Sequence, residues 1–488
     1  MIRVAYVSSE IHPFSKTGGL ADVAHSLSAA LGAAGVSTTV FSPCYSSVRD
    51  RLNAERHAPD SLRLPQPIWV AGEPLPVSYL CLRRGGGRLV FVVNDLFYDR
   101  PHLYLDAQGR DYPDSVARFA YFCRAVLEYV LHTGEIPDVV HANDWQSALA
   151  PIYLKTIYRQ ALPSVRSLLT IHNLGYQGLF PPEDLSATGL GSELFHPESL
   201  EFYGRLNLLK GGVVFADAVN TVSPSYAEEI QTVEFGKGLD GVIRAHRHKL
   251  SGILNGIDVE EWDPATDPRL PAHFSSETLK GKDGCKSALQ WRAQLPVRAE
   301  AMLLGVVSRF DVQKGMHLIV DGFANNADLD LQLVVLGAGD RQIEEQMRGL
   351  AAAFPQRVAV IVGFDESLAH LIEAGADAFL MPSAYEPCGL NQMYSHRYGT
   401  IPIVRETGGL KDTVIDCTPE RLATGQASGF TFRSFTAEEL AATIRRAEQL
   451  YREHPESWTA LVKQVMRLDH SWDYSARAYR ELYERLMK

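Results

Sequence analysis

The chain has 488 residues, 46% of them hydrophobic and 22% charged, so it contains enough apolar side chains to bury more than one large core. Its 47 Lys and Arg residues against 58 Asp and Glu residues give a net charge of −11, and without a basic run this balance argues against a nucleic-acid or anionic-membrane partner. The six dispersed cysteines form no CxxC pair and no apolar run reaches the roughly 20 residues that span a bilayer, so we expect no zinc site, disulfide framework or membrane anchor.

Short apolar runs alternate with longer helical patterns in the first half of the chain. Fully apolar strands separated by helices are typical of parallel sheets covered on both faces, so this half predicts a doubly wound α/β domain. Phe119–Leu131 has apolar residues at three- and four-residue spacing and predicts a crossover helix. The first strand begins directly at Ile2, which fits neither a signal peptide nor a transit peptide, so we expect a cytoplasmic protein. The predicted strands are Ile2–Val7, Thr38–Phe41, Leu89–Val93, Val139–His141, Ser167–Ile171 and Ala218–Thr221.

A glycine pair with a preceding lysine follows the first predicted strand. Paired glycines let backbone amides approach a ligand, and the N-terminus of the next helix favours an anion. Lys16 adds a mobile positive charge, so the segment is a candidate phosphate site, although an ordinary glycine turn is the alternative. The GxxxxGK[ST] spacing of a P-loop is absent. The segment reads Ser15-Lys16-Thr17-Gly18-Gly19-Leu20-Ala21-Asp22-Val23.

Two histidines stand at the ends of predicted strands that we expect to be neighbours. His141 begins the sequence His-Ala-Asn-Asp-Trp, which includes Asp144, and His172 follows Ile171. A single histidine at a strand end is more often a hydrogen-bonded structural residue, but two in one sheet favour a functional role. They are not spaced like zinc ligands, because HExxH is absent.

A Pro- and Asp-rich stretch over residues 255–300 predicts a linker and the entry to a second domain. Beyond it, the alternation of apolar strands and helices resumes, which predicts a second doubly wound domain. In such sheets ligands bind beyond the carboxyl ends of the strands, so we expect the active site in a cleft between the two domains. The predicted strands are Leu303–Val307, Leu331–Leu336, Val358–Val362, Ala378–Leu380 and Ile401–Val404.

Charged residues follow two strands of this second domain. Arg309 and Lys314 leave one strand end together and can reach one diphosphate, since Arg offers a planar fork and Lys a compact charge. Glu386 precedes a proline and is therefore held extended, and Gly389 allows a tight turn into a helix. Two surface cations and a helix-capping glutamate are the respective alternatives.

Two weaker patterns lie near the strand at residues 331–336. Gly337-Ala338-Gly339 resembles the start of a dinucleotide fingerprint, but Gln342 occupies the position of the third glycine. The Asp328-Leu329-Asp330 segment opens that strand instead of following one. We interpret it as a solvated turn and expect no metal site there.

Four segments together resemble the glycogen and bacterial starch synthases. The resemblance extends over nearly the whole chain and ends at Ser471-Trp472-Asp473-Tyr474. Departures from the family pattern at residues 310–312, 391 and 395–396 remove no charged member of the site. The four segments are Lys16-Thr17-Gly18-Gly19-Leu20-Ala21-Asp22, Arg309-x4-Lys314-Gly315, Glu386-Pro387-Cys388-Gly389-Leu390 and Thr407-Gly408-Gly409-Leu410.

The resemblance implies a retaining glycosyltransferase that transfers glucose from ADP-glucose to the non-reducing end of an α-1,4-glucan such as glycogen. It implies the GT-B fold, with two doubly wound Rossmann-like domains facing a central cleft. The expected parts are residues 1–254 on the acceptor side, residues 255–464 on the donor side, and residues 465–488 as a helix that crosses back. No cofactor and no metal is expected, because fixed cations can stabilise the leaving diphosphate.

The resemblance also implies a role for each matched residue. Glu386 would lie by the glucose ring, Arg309 and Lys314 on the diphosphate, Asp144 near the reacting centre and His172 near the sugar hydroxyls. The implied residues of the donor site are Lys16, Gly18, Gly19, Asp22, Asn255, Gln313, Phe364, Cys388, Gly389 and Leu390.

The sequence leaves one alternative open, the donor base, and argues against two others. UDP-glucose could replace ADP-glucose as the donor. A glucan phosphorylase would need a pyridoxal-binding lysine pocket and is usually much longer. A catalytically silent glucan- or nucleotide-binding protein would have no need of the charges at Arg309, Lys314 and Glu386.

Overall fold

The structure, a computed structural model, describes residues 1–84, 87–106 and 108–488. The chain divides into two compact units, the first formed by Met1–Gly256 with Trp472–Lys488 and the second by Ile257–Ser471. The sequence places the boundaries after residues 254 and 464, whereas residues 465–471 belong to the second unit. Val465 and Met466 pack in the hydrophobic core of the second unit, and the backbone N–H of Ile257 donates to the carbonyl of His470 at 2.8 Å.

The first unit contains a nine-stranded sheet with the order β14-β13-β9-β8-β1-β2-β7-β6-β3. The strands from β14 to β7 are parallel, and β6 and β3 continue the sheet in antiparallel fashion. Small sheets β4-β5 and β10-β12-β11 lie outside it. The strands are β1 Ile2–Val7, β2 Val36–Pro43, β3 Asp60–Arg63, β4 Ile68–Val70, β5 Glu73–Leu75, β6 Ser78–Arg84, β7 Gly87–Val93, β8 Val139–Asn143, β9 Arg166–Ile171, β10 Leu179–Phe180, β11 Glu201–Phe202, β12 Arg205–Asn207, β13 Ala218–Thr221 and β14 Leu250–Gly252.

Helices connect the parallel strands of this unit. The longest, α4, has an almost continuously buried surface and ends at Gly134, whose φ of 69° stops the helix in the left-handed region. This helix contains the predicted crossover helix. The helices are α1 Gly19–Ala33, α2 Ser46–Ala54, α3 Asp95–Tyr98, α4 Ser115–Thr133, α5 Asp144–Ser147, α6 Leu149–Lys155, α7 Leu185–Thr188, α8 Leu208–Phe215, α9 Pro224–Glu229 and α10 Asp240–Ala245.

The second unit is built on one six-stranded parallel sheet with the order β17-β16-β15-β18-β19-β20. Counted from its first strand, this is the 3-2-1-4-5-6 order of Rossmann folds. The strands are β15 Met302–Val307, β16 Leu331–Gly337, β17 Val358–Val362, β18 Ala378–Met381, β19 Ile401–Arg405 and β20 Phe430–Phe432. The helices are α11 Lys280–Arg292, α12 Met316–Ala324, α13 Arg341–Ala353, α14 Glu366–Gly375, α15 Asn391–Arg397, α16 Gly408–Thr413, α17 Pro419–Ala423, α18 Ala437–Glu453 and α19 Pro455–Val465.

Both faces of the six-stranded sheet are buried, as its apolar strands predict. Alternate residues of β15 enter different hydrophobic clusters, with Met302, Leu304 and Val306 in one and Leu303 in the other. This alternation follows from the two-residue period of a strand. All eleven predicted strands are therefore confirmed, and the fold class is α/β.

The chain ends in α20, Asp473–Leu486, which packs in the first unit. The hydroxyl of Tyr483 hydrogen-bonds with Nδ1 of His141 at 2.8 Å, and Asn220 donates to the hydroxyl of Tyr479 at 3.0 Å. These buried bonds fasten the last helix to β8 and β13. Across the part of the chain that is described, no helix is both long and apolar enough to cross a bilayer.

Candidate functional site

The strand order of each sheet reverses beside its first strand, and the predicted site residues follow the strands at these two points. In the first unit the reversal lies between β1 and β8, which lead to the Lys16 loop and to Asp144. In the second it lies between β15 and β18, which lead to Arg309 and to Glu386. Since parallel strands share one carboxyl edge, each pair of loops opens a crevice where ligands bind.

The Lys16 loop connects β1 to α1 and is exposed from Lys16 to Gly19. The ammonium of Lys16 lies 2.7 Å from the carboxylate of Asp22 in the first turn of the helix. A Cβ on Gly18 would meet nothing within 4 Å, so a ligand has room to approach its backbone. The loop therefore has the exposed glycines and the cation that the sequence indicates.

Glu10 and Tyr104 hold this loop through hydrogen bonds, and neither was predicted as a site residue. The carboxylate of Glu10 accepts hydrogen bonds from the backbone N–H and the hydroxyl of Thr17 and from the hydroxyl of Tyr104 at 2.7 Å. Burial raises the pKa of Glu10, and these three donors oppose the rise. Glu10 lies three residues after the end of β1, and neither Glu10 nor Tyr104 belongs to a periodic apolar pattern that would have marked it in the sequence.

Asp144 begins α5 with a φ of 56°, a left-handed conformation that is strained for a residue other than glycine. Its Oδ1 accepts a hydrogen bond from the backbone N–H of His172 at 2.7 Å, so the structure brings these two predicted residues together. Burial raises the pKa of Asp144 to about 7, while the backbone N–H groups of His172 and Asn173 act in the opposite direction and the Glu10 carboxylate raises it further. Both strain and a shifted pKa are typical of functional sites.

The hydrogen bonds of Asn143 show that Nε2 of His172 is protonated, and burial keeps the ring neutral. The Asn143 amide donates to the carbonyls of Val7 and His141 at 3.1 and 3.3 Å, so its Oδ1 must be the acceptor for Tyr6 and His172. Nε2 of His172 therefore carries the proton, which leaves Nδ1 as an acceptor. Burial lowers the pKa of His172 to about 3, so the ring is neutral near pH 7.

His141 has a structural role. Its ring is fully buried, and its two nitrogens hydrogen-bond with Tyr483 at 2.8 Å and with Thr170 at 2.6 Å. Burial lowers the pKa of His141 to about 3. Of the two strand-end histidines, only His172 therefore remains a candidate.

In the second unit, an ion pair connects two of the predicted residues. The ammonium of Lys314 lies 2.6 Å from Oε2 of Glu386, which also accepts a hydrogen bond from Ser383 at 3.0 Å. The carboxylate is nearly buried, and such a pair is strong only while both partners are present. Arg309 is exposed at the end of β15.

Close backbone packing fixes the positions of Lys314 and Gln313. A Cβ on Gly315, whose φ is 67°, would lie 2.0 Å from the carbonyl oxygen of Pro382. The backbone N–H of Ala384 donates to Gln313 at 2.7 Å, and the side chain of Gln313 donates to the carbonyl of Tyr385 at 3.3 Å. The loop after β15 therefore packs against the loop after β18.

The Thr-Gly-Gly-Leu segment holds the Glu386 loop from the other side. A Cβ on Gly408 would lie 2.0 Å from the Glu386 carbonyl oxygen, and one on Gly409 would lie 2.2 Å from that of Cys388. The N–H of Gly409 also donates to Glu386 at 3.1 Å. These glycines are required because the two backbones touch. Cys388 is buried inside this contact, and Gly389 turns with a φ of 73° before α15.

Two further predicted residues, Phe364 and Asn255, follow β17 and β14. The ring of Phe364 is 82% exposed after β17. Asn255 is buried in the first unit, and its Oδ1 has no hydrogen-bond partner among the residues described. The Gly337-Ala338-Gly339 turn has a packing explanation, since a Cβ on Gly339 would lie 2.4 Å from the Phe310 carbonyl oxygen.

Three residues that depart from the family pattern form hydrogen bonds or ring contacts with other residues of the second unit. Asn391 donates to the carbonyl of Val307 at the end of β15 at 2.7 Å, and Ser395 donates to Glu373 at 2.7 Å. His396 stacks on His470 with ring centroids 5.1 Å apart.

Acidic residues in two places resemble metal ligands but already have partners. Asp328 and Asp330 are ion-paired with Arg445 and Arg298. One ligand atom each from Glu261, Glu366 and His370 lie within 4.8 Å of one another. The guanidinium of Arg269 bridges the two glutamates at 3.3 and 3.1 Å, so an arginine supplies the positive charge there.

Comparisons with known proteins cover both units. A family model of the starch synthase catalytic domain matches residues 3–245, and a model of glycosyl transferases group 1 matches residues 288–465. Glycogen synthase 1 of Methylococcus capsulatus is 47% identical, with 99% of this chain and 96% of that protein covered. Glycogen synthase of Thermotoga maritima is 42% identical over 100% of this chain and 99% of that protein.

Solved structures agree with these relatives. The catalytic domain of starch synthase IV from Arabidopsis thaliana, bound to ADP and acarbose, has a TM-score of 0.90 at 35% identity and covers 100% of this chain and 99% of that one. Sucrose-phosphate synthase from Thermosynechococcus elongatus, at 19% identity and a TM-score of 0.60, supports the fold alone. The predicted GT-B fold is confirmed.

The Asp144→Asn variant should show a different dependence of stability on pH. Because burial raises the pKa of Asp144 to about 7, the folded protein keeps a proton that the unfolded chain releases near pH 4. The wild type therefore loses stability as the pH rises through this window, and the Asn variant lacks this loss. In urea unfolding, the stability of the variant relative to the wild type should rise by as much as about 4 kcal/mol between about pH 4 and pH 8. A difference in unfolding free energy between the two proteins that does not change with pH would contradict the raised pKa of Asp144.

The Gly408→Ala variant should be destabilised by at least about 2 kcal/mol, because its Cβ would overlap the Glu386 carbonyl and its φ is 45°. Gly349→Ala is the matched control, since Gly349 lies inside α13 with nothing within 4 Å of a new Cβ. That control should be neutral or more stable by up to about 1 kcal/mol. Equal unfolding midpoints for the two variants would show that the close contact between Gly408 and the Glu386 backbone does not contribute to stability.

Proposed function

The chain belongs to the glycogen and starch synthase family, and we propose that it transfers glucose from ADP-glucose to the non-reducing end of an α-1,4-glucan with retention of configuration. Members of this family are glycosyltransferases, and their substrates are a nucleotide sugar and a glucan. The choice of ADP-glucose, the roles of individual residues and the independence of metal are parts of the proposal. A cytoplasmic location is proposed as well, where the six free thiols would stay reduced.

The observation that carries the proposal is the Lys314–Glu386 ion pair at the reversal of strand order in the second unit. Two loops from β15 and β18 converge there and present Lys314, with Arg309 exposed on the same strand end. A diphosphate bound in this crevice would find two cations without any broad positive surface. This arrangement suits an acidic protein with a net charge of −11.

The cations have a chemical reason to be fixed. When the bond between glucose C1 and the diphosphate oxygen breaks, the sugar gains positive charge and the diphosphate gains negative charge. Donors held in place before the reaction stabilise this charge at little reorganisation cost. Glu386 neutralises Lys314 in the absence of donor and holds its ammonium in position, so Glu386 acts on the diphosphate through Lys314 and on the sugar through its own remaining oxygen.

Retention is proposed to occur by attack on the same face. The acceptor hydroxyl forms the new bond to C1 while a leaving phosphate oxygen takes its proton, so atoms and charges balance without a covalent enzyme intermediate. Glu386 is ion-paired at 2.6 Å, which lowers its value as a nucleophile. In the first unit, the neutral ring of His172 offers Nδ1 as an acceptor for a sugar hydroxyl, and Asp144 fixes the backbone of His172.

Two observations support ADP-glucose over UDP-glucose as the donor: the ligand of a related structure and the position of Phe364. The Arabidopsis structure is described as bound to ADP. Phe364 presents an exposed ring after β17 in the donor unit, and an aromatic face of this kind can stack on adenine. Lys16, Gln313 and the backbone near Gly18 and Gly389 are the proposed polar neighbours of the donor.

The proposed reaction is tested by incubating the protein with glycogen and radiolabelled ADP-glucose, or UDP-glucose, in excess EDTA. We expect glucose to enter the polymer from ADP-glucose at least about tenfold faster, since one lost contact to the base is worth roughly 1–2 kcal/mol. Equal rates would contradict the donor assignment. Loss of transfer in EDTA that Mg²⁺ restores would contradict the independence of metal.

Arg309→Ala and Lys314→Ala should each lower kcat by about a hundredfold or more, because each removes a preorganised charge from the leaving group. Arg341→Ala is a matched control, since that arginine is 93% exposed on α13 and should leave kcat unchanged. The rates are measured with saturating donor and glycogen. Near-normal turnover of the Arg309→Ala protein would exclude this residue from the transition state.

A further inference from the structure

Tyr203 occupies the tip of a hairpin where its side chain is conformationally disfavoured. Strands β11 and β12 are joined by two residues, Tyr203 and Gly204, with φ values of 49° and 79°. A two-residue loop with both φ values positive is a type I′ turn, in which Asn-Gly is the preferred sequence. A tyrosine at the first position therefore strains the backbone where asparagine would relieve it.

Burial of the Tyr203 side chain does not offset this strain. The Tyr203 side chain is 85% exposed, and its ring makes an edge-to-face contact with Phe202 at 4.7 Å. A buried aromatic ring stabilises a fold through the surface that it removes from water, and this ring removes little. Backbone strain at an exposed residue, with no burial to offset it, points to a function of that residue.

The turn is held rigidly. The backbone N–H of Gly204 donates to the Glu201 carboxylate at 2.6 Å, and Arg205 donates to the carbonyl of Leu179 at 2.7 Å. Phe202 also packs against Gly238, where a Cβ would lie only 3.1 Å from the ring. The ring of Tyr203 is thus presented to solvent on a supported platform, which lowers the entropy that a ligand must overcome.

The platform is connected to the reacting centre of the first unit through a small sheet. Its strand order is β10-β12-β11, and Trp145, the residue after Asp144, packs on Phe180 of β10 with ring centroids 5.4 Å apart. Phe202 lies two strand spacings, about 10 Å, from β10. A ligand reaching from Asp144 to Tyr203 must therefore be longer than one sugar.

We propose that Tyr203, with Phe202 beneath it, is a binding site for the acceptor polymer, on which a pyranose ring of an α-glucan stacks outside the catalytic centre. This inference rests on the proposed function. Pyranose rings have apolar C–H faces and polar edges, so an exposed aromatic face with polar neighbours such as Glu201 and Arg205 suits them. A neutral polyhydroxylated chain fits this mixed charge better than a charged partner does.

The test compares Tyr203→Asn with wild type. Asparagine suits the turn, so the melting temperature should rise by about 2 °C, which excludes damage to the fold. The KM for glycogen should rise roughly three- to tenfold, the value of one stacking contact, while kcat and the KM for maltotriose stay unchanged. Tyr474→Asn is the control, since that tyrosine is 72% exposed on α20 and should leave the KM for glycogen unchanged.

Affinity electrophoresis in gels containing glycogen measures binding without catalysis. A failure of the proposed Tyr203 site can therefore be distinguished from a failure of the proposed transfer reaction. Weaker retardation of Tyr203→Asn than of wild type supports the site even if no transfer is seen. Equal retardation and equal KM values overturn it. A wild type that dimerises through this ring, with Tyr203→Asn monomeric and equally retarded, also overturns it, because the occupant is then a second copy of the chain.

Discussion

The reversal of strand order beside the first strand of each sheet is the constraint on which the site depends. Parallel strands bring their carboxyl ends to one edge, and helices leave in opposite directions on the two sides of the reversal. Within the first unit the loops after β1 and β8 can therefore approach each other without a helix between them, and within the second unit the loops after β15 and β18 can do so. Lys16 and Asp144 follow the first pair of strands, and Arg309 and Glu386 follow the second.

Within the second unit, this constraint makes glycine as important as charge. The loop of Lys314 touches the backbone at Pro382, and the loop of Glu386 touches Gly408 and Gly409, with no space for a Cβ in either place. The resulting backbone positions hold the ammonium and carboxylate 2.6 Å apart in nearly buried surroundings. A pair so placed costs free energy to desolvate, and a bound diphosphate would use the charge that the fold has positioned.

Strands and charged motifs were predictable because they leave periodic or compositional signals. All eleven predicted strands are present, and Lys314 and Glu386 meet as their strand-end positions indicate. Glu10, Tyr104 and Asn143 were missed because their roles arise from hydrogen bonds between distant segments. The short strands β10 to β12 and the positive φ of Tyr203 were missed because two- and three-residue strands have no readable alternation and the Tyr-Gly pair is not a usual turn signal.

The central claim is that Arg309 and Lys314, the two cations that follow β15, bind the diphosphate of the donor. A crystal structure of the protein with ADP tests it most directly. Our account predicts phosphate oxygens within hydrogen-bond distance of Arg309 and of the Lys314 ammonium, with the Lys314–Glu386 contact retained or replaced by phosphate. A diphosphate bound elsewhere, with both cations left in contact with protein groups or solvent alone, would contradict it.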